Sequence, residues 1–224
     1  MALNHLLENN RLWVAEISDH ATRERAHRTP TYCWIGCCDG PLGIAPRLGL
    51  EPGDLFVHRN LANIVSGSDA NGLAALQYAV DVLKVRHIIV CGHSGCRGVL
   101  AATSDEPLGR TDHWVSEISG YPQRSGRNGD IALDAEGSSR MCEQNVHAQV
   151  SKLCHLRMIR DAWQRGQSLA VHAWMYDDDT GLFRAMESRV CKCDPAAPYQ
   201  SDIAAPDVIR CHEERPTPHD DTTA

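Results

Sequence analysis

Two cysteines and one histidine have residue types and positions that suit a metal site. His93 and Cys96 are separated by two residues in "CGHSGC", and Cys37 lies in "WIGCCDGPLG". Two thiolates and one imidazole favour Zn²⁺, and three protein ligands leave the fourth position open, as in catalytic zinc sites. Such a zinc ion lowers the pKa of bound water to about 7 and supplies hydroxide. Asp39 is placed either to accept a hydrogen bond from that hydroxide or to bind the metal and close the site.

The stretch that contains Cys37 also has a purely structural interpretation. The Asp-Gly-Pro sequence after Cys38 is typical of a turn that follows a strand. Cys37 would then be a thiol of the core. A pair spaced like His93 and Cys96 is also common in turns that bind no metal. Spacing alone therefore leaves both interpretations open.

The cysteine count is high, at ten in 224 residues. In a chain of this length without a secretory signal, metal binding or free thiols is expected rather than disulfides. Three cysteines in apolar or helical stretches are predicted to be plain buried thiols: Cys33, Cys142 and Cys154. We favour a solvated tail near the carboxyl terminus, and the alternative there is a second metal site. Its ligands would be Cys191, Cys193, Cys211 and His212.

The elements that must position these residues alternate between strands and helices. Short apolar runs predict strands at 31–36, 54–60, 86–96 (running into a glycine-rich turn) and 168–177, with a return strand or turn in "TGLFRAM". Helical spacing predicts helices at 4–17, at 70–85 after an N-cap at Ser68-Asp69, from "GVLAA" onward, and at 138–166. Residues 104–137 are polar, and part of them is expected to be a mobile insertion.

This alternation predicts an α/β fold with a mainly parallel central β-sheet flanked by helices. Ligands of such sheets gather at the carboxyl ends of the strands. The turns at 36–41 and 91–98 both follow predicted strands, so they can meet at one edge of the sheet. We expect one zinc-binding domain over residues 1–193 and an extended or disordered tail over 194–224.

Composition excludes several function classes. The formal net charge is −7, so the chain lacks the basic surface of a nucleic-acid-binding protein. No apolar run approaches the ~20 residues of a membrane span. The amino terminus, "MALNHLLENNRLW", lacks the basic and apolar regions of a secretory signal. We therefore expect a cytoplasmic protein that binds neither nucleic acid nor membrane.

The sequence resembles the β-class carbonic anhydrases, in particular their bacterial members, over roughly residues 5–190. The stretches that carry the resemblance are "YCWIGCCDG", "GLEPGDLFVHRNLANIV", "ALQYAVDVLKVRHIIVCGHSGCRGV", "CEQNV" and "AWQRGQSLAVHAWMYD". The resemblance implies the α/β fold of that family, a homodimer built partly by N-terminal helices, and often a dimer of dimers. It also implies zinc held by Cys37, His93 and Cys96, with Asp39 as the partner of the zinc-bound water.

The sequence departs from the family pattern at three positions. The family motif is Cys-x-Asp-x-Arg, in which the arginine holds the aspartate off the metal, but Pro41 occupies the arginine position here. A glycine of the family's histidine turn is replaced by Arg97, and our hypothesis is that Arg97 takes over the role of the missing arginine. The alternative is that Arg97 points to solvent. Cys38 is a spare thiol at a position where the family tolerates small residues. Its alternative roles are to cap the metal under oxidation or to form a disulfide.

A further feature of the family is retained. One bacterial branch has a non-catalytic bicarbonate pocket that favours the closed, inactive zinc site. The matching residues in this sequence are Trp34, Gly36, Arg59 and Tyr176. The alternative is that these residues pack the dimer core, and Arg59 and Asn60 can equally serve the sheet edge, since buried polar residues usually have structural partners.

The resemblance implies a zinc lyase that hydrates CO2 reversibly to bicarbonate, with zinc-bound hydroxide as the nucleophile. Loss of the arginine predicts weak or pH-restricted activity. One alternative is a zinc hydrolase of a related linear substrate, carbonyl sulfide or carbon disulfide, because the mouth of the site differs at Gly40-Pro41, Ser94 and Arg97. The other alternative is a catalytically silent zinc-binding oligomer.

Overall fold

A computed structural model describes residues 4–16, 29–51, 53–104, 106–118 and 134–186. The predicted tail over 194–224, the end of the predicted domain at 193 and the four ligands of the alternative second metal site lie outside these residues. The domain boundary therefore stays a prediction. Within the described residues, no helix is both long and apolar enough to cross a membrane.

A five-stranded sheet forms the centre of the fold. Its strands are β1 (Tyr32–Cys37), β2 (Leu55–Asn60), β3 (His87–His93), β4 (Ala170–Tyr176) and β5 (Phe183–Ala185). They are ordered β2-β1-β3-β4-β5, and every pair is parallel except β4–β5. The predicted α/β class with a mainly parallel sheet is therefore confirmed. The central strands β1 and β3 are buried along almost their whole length, which is why both read as continuous apolar runs.

The helices precede the strands or lie between them along the chain. They are α1 (Asn4–Glu16), α2 (Ile44–Arg47), α3 (Ala70–Gln77, continued by a π-helical turn at Tyr78–Val82), α4 (Arg97–Leu100), α5 (Arg110–Val115), α6 (Ala135–His155) and α7 (Arg157–Gln164). The predicted cap of α3 is confirmed, because the Asp69 side chain accepts a hydrogen bond from the Asn71 N–H at 3.1 Å.

One helix prediction needs correction. The single helix expected over 138–166 is broken at Leu156, whose extended backbone (φ −62°, ψ 134°) ends α6 and begins α7. Apolar spacing continues on both sides of the break, since Ile159 and Ala162 of α7 are also buried, so the pattern does not reveal it. The polar stretch 104–137 contains the short helix α5, whose Trp114 indole N–H donates to the Leu61 carbonyl at 2.8 Å.

The sheet order brings the two cysteine-rich turns together. β1 and β3 are adjacent and parallel, with Gly36 paired to Cys91. The turn after β1 and the turn after β3 therefore leave the same edge of the sheet side by side. The helix α6 packs against β3 and β4 below this edge, and its Val146 lies so close to Gly92 that an added Cβ there would be 2.6 Å from it. Only glycine allows this approach directly before His93.

Candidate metal centre

Three buried side chains converge at this edge of the sheet. Cys37 ends β1, His93 ends β3, and Cys96 immediately precedes α4. One ligand atom from each of them lies within 4.8 Å of the ligand atoms of the other two. All three residues are almost completely buried. The structure thus brings together the three residues that were predicted as metal ligands.

The Cys37 sulfur is surrounded by hydrogen-bond donors. The Cys96 thiol lies 3.5 Å away, the Ala62 N–H donates from 3.2 Å and the Asp39 N–H donates from 3.3 Å. The Cys96 thiol and the two backbone N–H groups lower the pKa of Cys37, while the thiolate that results raises the pKa of Cys96. Thiolates are the metal-binding form of cysteine, so this sulfur is prepared for a cation.

The Ala62 N–H reaches Cys37 because the backbone of Ala62 has a left-handed conformation (φ 63°). Alanine rarely adopts this conformation, so the surrounding structure must hold it. The buried Asn145 side chain of α6 donates to the Ala62 carbonyl at 2.9 Å. Gln149, one helical turn later, donates to Asn145 at 2.9 Å and accepts from the Val65 N–H at 2.9 Å. Sequence reasoning missed this support, although Asn145 belongs to the quoted "CEQNV" stretch.

His93 has one nitrogen with a partner and one without. Its Nδ1 lies 2.8 Å from a carboxylate oxygen of Asp178, in the turn after β4. Its Nε2 is buried and has no hydrogen-bond partner among the described residues. Burial acts to lower the pKa of His93, but the neighbouring Cys37 sulfur and the Asp178 carboxylate outweigh it and raise that pKa. A buried, unpartnered imidazole nitrogen beside two thiols is the donor set expected for zinc.

Asp39 is held by Arg97. The Arg97 Nε lies 3.0 Å from one carboxylate oxygen of Asp39, its Nη2 donates to the same oxygen, and its backbone N–H lies 3.1 Å from the other. This arginine lowers the pKa of Asp39 below its usual value. The Arg97 side chain is nevertheless 85% exposed, whereas that of Asp39 is 13% exposed. Arg97 thus lies largely exposed to solvent, as the alternative interpretation expected, yet its guanidinium contacts the carboxylate.

Arg59 holds the other side of the Cys37 turn. Its guanidinium donates to the carbonyl oxygens of Gly40 at 2.9 Å and Pro41 at 2.8 Å, and also to that of Cys37. Asn60, the next residue, exchanges two hydrogen bonds of 2.8 Å with the backbone of Ile64. Both polar residues of "VHRN" therefore have structural partners at the edge of the sheet.

The four residues of the predicted bicarbonate pocket line one cavity. Trp34, Gly36, Arg59 and Tyr176 border a small cavity, part of it open to solvent. Cys37, Pro41 and His93 border the same cavity, so it reaches the back of the metal centre. The Tyr176 hydroxyl accepts a hydrogen bond of 2.8 Å from Arg47, which sequence reasoning did not associate with the pocket.

The other cysteines fall into two groups. Cys33, Cys142 and Cys154 are buried and form no disulfide, which confirms their prediction as plain buried thiols. Burial raises the pKa of Cys33 to about 12 and that of Cys142 to about 11, so neither is reactive at neutral pH. Cys38, in contrast, is exposed at the surface beside the centre.

Comparisons with known proteins agree with one another. A family model described as "Carbonic anhydrase" matches residues 32–183. A carbonic anhydrase of Emericella nidulans is 32% identical over 80% of this chain and 81% of its own length, and one of Pseudomonas aeruginosa is 32% identical over 75% of this chain and 76% of its own. Among solved structures, the β-carbonic anhydrase of Coccomyxa in complex with acetazolamide is similar with a TM-score of 0.71 and 34% identity, covering 82% of this chain and 86% of the other.

A second solved structure bears on assembly. Its title describes tetrameric β-carbonic anhydrases from the ascomycete Sordaria macrospora. It is similar with a TM-score of 0.69 and 33% identity over 83% of this chain and 97% of that one.

Proposed function

The chain belongs to the β-class carbonic anhydrases, and from this premise we propose that Cys37, His93 and Cys96 hold the zinc ion with which it hydrates CO2 reversibly to bicarbonate. The convergence of two buried thiols on the unpartnered Nε2 of His93 is the observation that carries the proposal. When bound, zinc supplies a Lewis acid that brings the pKa of a coordinated water to about 7.

Asp39 orients the nucleophilic water. Its backbone N–H is bonded to the Cys37 sulfur, so its carboxylate is fixed beside the ligand set. A carboxylate accepts hydrogen bonds and donates none, so Asp39 can accept a hydrogen bond from the water and leave an oxygen lone pair directed at the carbon of CO2. For this role the carboxylate must stay ionised and stay off the metal.

Arg97 meets both requirements in place of the arginine that Pro41 replaces. Its guanidinium donates to one carboxylate oxygen of Asp39, and its backbone N–H donates to the other. Its positive charge keeps Asp39 ionised. The pair is exposed on the Arg97 side, and exposed ion pairs are weak. Weak or pH-restricted activity, with Asp39 part of the time on the metal, therefore stays a prediction.

Rates of CO2 hydration by the zinc-loaded protein test the proposed function. In stopped-flow measurements near pH 8, with a pH indicator, we expect catalysis that depends on zinc and falls as the pH drops below about 7, because zinc would then supply neutral water rather than hydroxide. Release of sulfide from carbonyl sulfide that outpaces CO2 turnover would favour the hydrolase instead. Zinc binding without turnover of CO2, carbonyl sulfide or carbon disulfide would identify a silent oligomer.

The cavity behind the centre is proposed as a bicarbonate site that inhibits the enzyme. The support is that Trp34, Gly36, Arg59 and Tyr176 share one cavity, which also borders Cys37. An anion bound there would compete with backbone carbonyls for the Arg59 guanidinium, which fixes the turn that carries Asp39. Bicarbonate in the cavity would therefore loosen this turn and favour the closed site.

We predict that Tyr176→Phe weakens inhibition by bicarbonate by about 10-fold or more and leaves zinc content unchanged. The substitution removes one hydroxyl donor from the cavity wall and keeps the ring that contacts Phe183. A hydrogen bond to a charged group contributes about 1.5–3 kcal/mol, which makes the loss measurable. The measurement is the inhibition constant of bicarbonate for CO2 hydration, with the exposed Tyr78→Phe as the matched control. Equal inhibition constants for Tyr176→Phe and the native enzyme would reject the pocket.

Assembly as a homodimer or a dimer of dimers is also proposed. Four large apolar residues of α1 are exposed in the part of the chain that the structure describes. Leu6, Leu7, Leu12 and Trp13 are 52%, 61%, 57% and 54% exposed. Large exposed apolar groups on one short helix are typical of a subunit contact.

The expectation of a cytoplasmic location stays a prediction.

A further inference from the structure

The hydrogen bond between Asp178 and His93 has no role in the mechanism proposed for CO2 hydration. Asp178 lies in the turn between β4 and β5, 85 residues after His93 along the chain. Its carboxylate oxygen nevertheless lies 2.8 Å from the Nδ1 of His93. The histidine side chain is 4% exposed and the aspartate side chain is 43% exposed, so the contact runs from the buried centre to the surface.

This contact sets the tautomer of His93. A carboxylate can only accept, so the Nδ1 must carry the proton of the hydrogen bond. In a neutral imidazole the Nε2 then has a free lone pair, and this is the buried atom with no partner among the described residues. Asp178 thus presents the unprotonated nitrogen of His93 to the two thiols.

The turn that carries Asp178 is fixed in place by its own hydrogen bonds. The Asp177 carboxylate accepts from the N–H groups of Asp179 at 3.0 Å and Thr180 at 2.8 Å. The Asp178 N–H donates to the Ser94 hydroxyl at 2.8 Å, and the Ser94 N–H donates to the Tyr176 carbonyl at 2.9 Å. Asp178 itself and Tyr176, two residues earlier, are therefore attached to Ser94, the residue that follows His93, and the carboxylate is preorganised.

We infer that Asp178 is a positioning residue of the metal centre, which orients His93, fixes its tautomer and thereby tightens zinc binding. The inference rests on the proposed zinc centre. A residue that hydrogen-bonds to a metal ligand without binding the metal itself typically contributes about 10–100-fold to the affinity for the metal. The added negative charge also makes the imidazole a stronger donor to a cation.

Zinc affinity of substituted proteins tests this role. Starting from the zinc-loaded protein and a competing chelator, we expect Asp178→Ala to weaken zinc binding by about 10–100-fold. Asp178→Asn should fall between Asp178→Ala and the native protein, because an amide oxygen can still accept from the Nδ1 proton but carries no charge. Asp179→Ala and Asp179→Asn change the neighbouring exposed residue of the same turn, and both should stay within about twofold of the native protein.

A spectroscopic signature separates positioning from a general loss of structure. In ¹⁵N-labelled, zinc-loaded protein, the Nδ1 proton of His93 should give a hydrogen-bonded resonance that Asp178→Ala removes and Asp179→Ala keeps. Zinc affinity of Asp178→Ala within about twofold of native, or an unchanged Nδ1 resonance, would overturn the inference while the zinc centre stands. A native protein that binds no zinc would overturn the proposed centre and this inference together.

Discussion

Cys37→Ser is expected to abolish both zinc retention and CO2 hydration while the fold persists. Loss of a residue that only hydrogen-bonds to a metal ligand already weakens metal binding by about 10–100-fold. Loss of a ligand itself should therefore weaken zinc binding by more than about 100-fold. A serine hydroxyl remains protonated at neutral pH and is a poor zinc ligand. It can still accept the Ala62 N–H that the sulfur accepts now, so the turn keeps a hydrogen bond. Zinc content by mass spectrometry and stopped-flow hydration rates measure the two losses.

The adjacent cysteine provides the control. Cys38→Ser makes the same atomic change one residue away, on an exposed side chain. We expect its zinc content and hydration rate to match those of the native enzyme. Thermal unfolding of both variants without added zinc should be similar. Full zinc content in Cys37→Ser would contradict the assignment of the ligands, and loss of zinc in Cys38→Ser would show that the exposed thiol is the ligand instead.

Arg97→Ala is expected to lower CO2 hydration by at least about 10-fold while zinc stays bound. Removal of a general acid or base costs about 10²–10⁴-fold, and the loss here should be smaller because Asp39 itself remains. The backbone N–H of residue 97 also keeps its bond to Asp39. Arg97 holds the pKa of Asp39 below its usual value, so its removal raises that pKa toward the ordinary range, still well under 7. Asp39 therefore remains ionised at neutral pH, and the loss reports its position rather than its charge.

Two further variants sharpen this prediction. Arg157→Ala removes another exposed arginine, which pairs with Asp161 at 3.4 Å on α7 far along the chain, and it should leave the rate unchanged. Pro41→Arg restores the side chain that the family motif has at this position. If Arg97 replaces that arginine, then Pro41→Arg should recover part of the rate lost in Arg97→Ala. Native rates in Arg97→Ala would show that Asp39 needs no arginine.

The sequence was sufficient to predict the strands and their common edge. Strands β1 and β3 are continuous apolar runs, and each ends where glycine and polar residues begin. The break at Leu156 was not predictable, because a backbone dihedral angle changes there while the apolar spacing continues. Local patterns report which face of an element is buried, and they contain little information about where its axis turns.

The candidate site shows the same division. Cys37, His93 and Cys96 were predicted from residue type, spacing and family resemblance. The contact of Arg97 with Asp39 was proposed because Pro41 occupies the position of the family's arginine. Ala62 and Asp178 were missed. An alanine has no chemistry to attract attention, and its N–H reaches Cys37 only through a left-handed backbone that α6 supports. Asp178 is one of three consecutive aspartates, and only the β4–β5 turn brings it to His93.

The central claim is that zinc is bound by Cys37, His93 and Cys96 while Arg97 keeps Asp39 off the metal. A crystal structure of the zinc-loaded enzyme near pH 8, with the metal located by its anomalous scattering, tests it most directly. We predict two sulfur ligands at about 2.3 Å, the Nε2 of His93 at about 2.0–2.1 Å, and a solvent oxygen as the fourth ligand. Asp39 should be paired with Arg97. An Asp39 oxygen in the fourth position, with Arg97 turned to solvent, would contradict the account.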